Sequence, residues 1–156
     1  MRIDFPATVV VISDTHGTLP ARVVSAIESL APSVIVHAGD VGSPAVLIEL
    51  ESLAPVIAVR GNTDAGAWAE TLPYEAVLHA GDTRVVIVHD ATGYRPCAGT
   101  DVLVSGHTHV PAVSRLGGIL RVDPGSVSRP RAHDRIATFA VIDVKDDSVG
   151  ARIIRT

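Results

Sequence analysis

Seven residues able to bind a metal occur in a fixed order along this chain, each where an apolar run stops. They are Asp14 and His16 in Asp14-Thr15-His16, Asp40 in Gly39-Asp40, Asn62 in Gly61-Asn62, His89, and His107 and His109 in Gly106-His107-Thr108-His109. The donors are carboxylates, an amide and imidazoles, with no thiolate. Such a hard and borderline set fits Mn, Fe, Zn, Co or Ni. Taken singly, each has an ordinary alternative. An Asp after a strand often caps a turn, Gly-Asp and Gly-Asn are common turn pairs, and a lone strand-end histidine is usually solvated. Gly106-His107-Thr108-His109 is the most specific piece. On a strand that spacing puts both rings on one face; in a tight loop they could reach two adjacent metals. Four of the seven histidines belong to the set, whereas His37, His79 and His133 stand outside it.

The runs that feed these residues are short and aliphatic, as buried strands are: Val9 to Ile12, Val34 to Val36, Val56 to Val59, Val85 to Val88 and Val102 to Val104. Between the first three lie helical stripes. Val23, Val24, Ile27, Leu30 and Ala31 share one face after Pro20, and Pro32 stops that helix. Pro44 opens a second helix as a first-turn proline, with Val46, Leu47, Leu50 and Leu53 as its stripe and Pro55 as its end. This β-α-β-α-β order implies parallel strands. The later half predicts hairpins instead, with turns at Ala80-Gly81-Asp82-Thr83, Gly117-Gly118 and Lys145-Asp146-Asp147-Ser148. Ile136 to Ile142 reads as a strand buried on both faces, and Arg152-Ile153-Ile154 as the end of the last strand. The expectation is one α/β domain over residues 1–156, parallel early and antiparallel late.

Bulk composition narrows the function. The 156 residues are 47% hydrophobic but only 3% aromatic, so the core must be aliphatic. A net charge of −4 without like-charged runs argues against nucleic-acid polymers or anionic membranes as partners. The single cysteine, Cys97, excludes an intramolecular disulfide and reads as a buried or half-buried thiol. No stretch approaches the roughly 20 apolar residues of a membrane span, and the N-terminal run is too short for a signal peptide. A cytoplasmic protein is expected.

In order and spacing, the residues from Asp14 to Arg131 resemble the calcineurin-like metallophosphoesterases, and most closely their small bacterial and archaeal phosphodiesterase branch, which ends its motif series in a late Pro-Gly-Ser, here Pro124-Gly125-Ser126. The resemblance implies a four-layer sandwich of two mixed β-sheets flanked by helices. It also implies a binuclear centre in which Asp14, His16 and His109 hold one metal, Asn62, His89 and His107 the other, and Asp40 bridges them. Asp40, Asn62 and His89 are the expected catalytic members. The expected reaction is hydrolysis of a small-molecule or nucleotide phosphodiester by a metal-bridging hydroxide, with manganese the first expectation. A small phosphoester is the expected partner, and a homo-oligomer is compatible with the sequence.

Charge counting supports a phosphate site independently. Two divalent ions bring four positive charges, of which Asp14, Asp40 and a hydroxide cancel three. Departures from the family pattern sharpen the reading. Thr63 stands where many members have a leaving-group histidine, and a hydroxyl is no general acid near neutral pH. Faster turnover of aryl diesters than of alkyl monoesters follows. Asp90 replaces the usual glycine after His89, either to orient an imidazole or to start the turn Asp90-Ala91-Thr92-Gly93. Asp64 is either an acceptor behind the site or the N-cap of a short helix from Ala65 to Glu70. Asp123, where Asn is common, reads as structural.

Arg60 could face the site or be a solvated strand-end residue. Arg129, Arg131 and Arg135, with His133, form the only local basic cluster and could clamp phosphate or remain solvated. His37 reads as packing near the site, and Trp68 as core by default, with a rim position or a partner contact as the alternatives. Two rival functions remain. A protein-interaction scaffold of the same fold, such as one eukaryotic retromer subunit, is free to lose ligands, yet all seven are present here. A nucleotide-binding regulatory domain ranks last for want of a glycine-rich phosphate loop.

Overall fold

The structure is a computed structural model that describes residues 1–4, 6–145 and 148–156. The aliphatic runs form strands and assemble into two mixed sheets. The five-stranded sheet has the order β11-β10-β2-β3-β4, built from β2 (Ala7–Ile12), β3 (Val34–His37), β4 (Val56–Ala58), β10 (Thr138–Lys145) and β11 (Ser148–Arg155). The six-stranded sheet has the order β1-β5-β6-β7-β9-β8. Its strands are β1 (Arg2–Ile3), β5 (Glu75–Ala80), β6 (Thr83–Val88), β7 (Val102–Val104), β8 (Ala112–Leu116) and β9 (Ile119–Asp123).

Alternation along the strands divides the apolar side chains. Val9, Val11, Val34, Val36, Ala140 and Ile142 of one sheet pack with Leu78, Val85, Ile87, Val102, Val104 and Val122 of the other, forming the core between the sheets. The opposite faces of β2, β3 and β10 present Val10, Ile12, Ile35, Phe139 and Val141 to Val23 and Ile27 of α1 (Ala21–Ser29) and to Val46 and Leu50 of α2 (Pro44–Glu51). Trp68, on the one-turn α3 (Ala67–Glu70), also packs there. Val86, Val88 and Leu103, on the outer face of the six-stranded sheet, are covered by Ala91 and Tyr94 from the segment after β6. Among the described residues that layer is loop, not helix.

The β2-α1-β3-α2-β4 unit is parallel, as read from the sequence. β5 and β6 form the expected two-residue hairpin, with Ala80 opposite Thr83. Asp146 and Asp147 of the last expected turn lie outside the described residues; the strands beside them pair antiparallel with Lys145 opposite Ser148. β10 lies between β11 and β2 and is buried on both faces, as its sequence predicts.

Four expectations are corrected. The later half is not purely antiparallel: β6, β7 and β9 pair in parallel through loop and hairpin connections. The two-residue β1 was not foreseen, and it pairs in parallel with β5. Cys97 is exposed, because it sits in the loop cover of the six-stranded sheet. Asp64 caps no helix: Gly66 is the N-cap of α3, with no side-chain cap bond. No described helix is long and apolar enough to cross a membrane.

Candidate metal centre

All seven residues lie in loops just beyond strand C-termini, the edge where sites form in α/β sheets. The backbone there is unusual. Asp14, His16, Asp40, His107 and His109 all have left-handed φ, between 45° and 70°. For non-glycine residues this is sparsely populated and persists only where the surroundings enforce it. The enforcement is visible. Pairing continues past the ends of β2 and β3, with the Asp14 N–H on Gly39 O at 3.0 Å and the His16 N–H on Asp40 O at 3.0 Å. The Asp14 carbonyl accepts from the hydroxyls of Ser126 at 2.7 Å and Ser128 at 3.1 Å. The glycines preceding ligands permit close approach. A Cβ on Gly61 would collide with Asp40, and one on Gly106 with Ser13 Oγ.

The ligand atoms gather in two groups. In the first, His109 Nε2 lies 3.2 Å from Asp14 Oδ1 and 3.3 Å from His16 Nε2. His109 Nδ1 donates to Arg129 O at 2.7 Å, which leaves Nε2 bare in the neutral ring. Asp14 Oδ2 accepts from Ser13 Oγ at 2.7 Å and from His107 N at 3.0 Å, whereas buried Asp14 Oδ1 has no hydrogen-bond partner. Burial lowers the His16 pKa and favours the neutral, ligating imidazole. In the second group, Asn62 Oδ1 lies 3.0 Å from both His89 Nε2 and His107 Nδ1. His89 Nδ1 donates to Ala38 O at 2.8 Å, so its Nε2 is also bare.

Between the groups stands Asp40. Its Oδ1 is 3.5 Å from His89 Nε2 and its Oδ2 is 3.9 Å from His16 Nε2. Asp14 is near both groups as well: its ligand atom, with those of Asp40 and His89, lies within 4.8 Å. Bare acceptors held this close repel one another unless a cation lies among them. Donors about 2.1 Å from a shared ion lie roughly 3–3.5 Å apart. The orphaned Asp14 oxygen and the outward-braced imidazoles therefore fit divalent metal.

Spacing alone leaves open whether His107 and His109 share a strand face or a tight loop; they sit in a loop, one in each group. The braces were not foreseen: Ser13, Ser126, Ser128 and the Arg129 carbonyl. Asp64 is the acceptor behind the site, taking the N–H groups of Gly42 and Gly61, each at 2.8 Å. Asp90 starts the turn: its Oδ1 accepts from Thr92 N at 2.8 Å, while its Oδ2 stays 4.0 Å from His107 Nε2, beyond hydrogen-bond reach. Asp123, its carboxyl pushed up to about 7 by burial, ties Thr108 Oγ1 at 2.7 Å to the Gly125 N–H at 2.9 Å. His37 is fully buried, bonded to Thr15 Oγ1 at 3.0 Å and lowered to about 4 by burial, outside both groups.

The groups open into a cleft of about 470 Å³ whose wall includes Thr63, Arg129, Arg131 and Arg135. Arg60 does not line this cleft; its guanidinium lies over Tyr74 and donates to Asp64 O.

The profile of the Calcineurin-like phosphoesterase superfamily domain matches residues 8–147. A probable metallophosphoesterase of Methanothermobacter thermautotrophicus is 37% identical over 161 residues, covering 94% of this chain and 91% of that protein. The phosphodiesterase YfcE of Escherichia coli K12 is 31% identical, covering 90% of this chain and 94% of its own length. Among solved structures, Entamoeba histolytica Vps29 complexed with Zn²⁺ superposes with a TM-score of 0.74 at 19% identity, covering 95% of this chain and 98% of that one, a likeness of fold alone. The chain belongs to the calcineurin-like phosphoesterase superfamily.

Proposed function

We propose that the protein is a binuclear metal-dependent phosphodiesterase acting on a small-molecule or nucleotide phosphodiester. Asp14, His16 and His109 would hold one divalent ion and Asn62, His89 and His107 the other, with Asp40 shared between the two sets. The observation that carries this reading is the straddling carboxylate, with one Asp40 oxygen toward His89 and the other toward His16. When bound, the two ions supply Lewis acidity and an activated water.

The chain's own groups do the rest. Asp40 is held in place by the Thr63 N–H on its Oδ1 at 2.9 Å. With only Asp14 and Asp40 as ligand carboxylates, the loaded centre stays net positive and attracts an anionic ester. Arg129, Arg131 and Arg135 pair with no carboxylate among the described residues and can orient the phosphate's free oxygens. Thr63 lines the cleft without a proton to give near neutral pH, which favours substrates with good leaving groups, aryl diesters over alkyl monoesters. Ligand completeness, with all seven donors present, speaks against a pure scaffold.

The test is hydrolysis of bis(p-nitrophenyl) phosphate by metal-stripped protein with and without added Mn²⁺. Turnover should require the ion and fall by more than about a hundredfold in Asp40→Ala and His107→Ala, beyond the range for losing an outer-sphere partner. Metal-independent turnover, or unaffected variants, would sink the proposal.

A further inference from the structure

The centre opens in a second direction. A hollow of about 360 Å³ shares Asn62 with the arginine-lined cleft and also borders His89, but its remaining walls are of opposite character: Tyr74, Tyr94 and Val88, with the carboxylates of Glu75 and Asp90 at its margin. Tyr74 is 72% exposed, yet it is not loose. The Arg60 guanidinium carbon lies 5.7 Å from its ring centroid, and that guanidinium donates to the Asp64 carbonyl from Nε at 3.3 Å and Nη2 at 3.2 Å. Tyr94 is fixed from the other end, its hydroxyl donating to Glu75 Oε2 at 2.7 Å. Two rings are thus held beside a metal ligand with no packing role that requires Tyr74 to be there. Among the described residues the hollow's one cation, Arg60, is already stacked and hydrogen-bonded, and two carboxylates border it, so a second anionic group is disfavoured. A flat, uncharged ring suits these walls.

We propose that this hollow seats a planar aromatic ring, aryl or nucleobase, carried on one ester arm of the scissile phosphate, with Tyr74 and Tyr94 setting that specificity. The inference rests on the metal-centre reading above. The substrate then spans the centre, its phosphate toward the arginines and its ring toward the tyrosines. Exposed aromatic platforms of this kind bind bases and simple aryl groups alike by stacking.

Calorimetric affinities of the Mn²⁺-loaded protein for two matched pairs of anions test this without turnover: phenylphosphonate against methylphosphonate, and adenosine 5′-monophosphate against ribose 5-phosphate. The ring should improve affinity roughly tenfold in at least one pair, the first reporting an aryl site and the second a nucleobase site. Tyr74→Ala, which empties no core position, should bring that ratio to within about twofold of one, as should Tyr94→Leu. Ratios near one in wild-type protein, or a tenfold ratio that both variants retain, overturn the inference while leaving the metal centre standing. Binding of none of the four anions overturns the metal-centre reading and this inference with it.

Discussion

The two ligand groups share a carboxylate, yet they are built differently. Around Asp14 and His109 the chain is closed and braced. Asp14 is 0% exposed and held by Ser13, Ser126 and Ser128; His109 is 4% exposed and held by the Arg129 carbonyl. Around Asn62 and His107 the chain is open, with the His107 side chain 45% exposed and only His89 tied from behind, to Ala38 O. The first group is preformed, its left-handed residues Asp14, His16 and His109 held by tertiary hydrogen bonds. The second can adjust to what enters the cleft. On the proposed two-metal reading the expected outcome is unequal affinity: the Asp14 group should fill first and the Asn62 group second.

The largest expected contrast comes from removing one histidine on each side. His109→Ala should abolish the tight Mn²⁺ equivalent, whereas His107→Ala should keep it and lose only the weaker one, as counted by equilibrium dialysis and metal analysis. Loss of both ions in His107→Ala would erase the distinction. A smaller effect is expected from Ser126→Ala, which removes the hydroxyl on the Asp14 carbonyl and touches no ligand atom. Weakening of the tight site by roughly 10–100-fold, with the weak site little changed, is the outcome expected for an outer partner; calorimetry on the variant measures it.

The smallest effect concerns Asp123, whose carboxyl burial pushes up to about 7, well above the ordinary carboxylate range. A raised carboxyl pKa means that the folded state holds the proton more tightly than the unfolded chain. This stabilisation is fully present below the unfolded value and is lost as pH rises from about 4 to about 7. Asp123→Asn keeps an acceptor for Gly125 and removes the titration, so its stability relative to wild type should climb across that window. Urea unfolding of metal-free protein at several pH values reads the slope, and a constant difference would show that Asp123 is already ionised.

Much of this was legible because local signals and the fold agreed. Aliphatic runs of strand length end at the ligands, the helical stripes of α1 and α2 meet the alternate faces of β2 and β3, and Gly-Asp, Gly-Asn and Gly-His pairs mark close backbone approach. What escaped was non-local. Ser126 reaches Asp14 across 112 residues, and nothing in its neighbours announces that bond. β1 is two residues long and exists only because β5 offers an edge. The late parallel pairs arise from loop crossovers, which carry no helical period to read. Asp64 has the sequence setting of a helix cap, but the N–H groups of Gly42 and Gly61 compete for it and win.

The most direct test of two unequal sites in one hydrolytic centre is a titration of metal-free protein with Mn²⁺, following heat and bis(p-nitrophenyl) phosphate turnover together. The account predicts two binding steps of distinct affinity, with turnover rising only as the second fills. A single step, or turnover complete after the first equivalent, would contradict it.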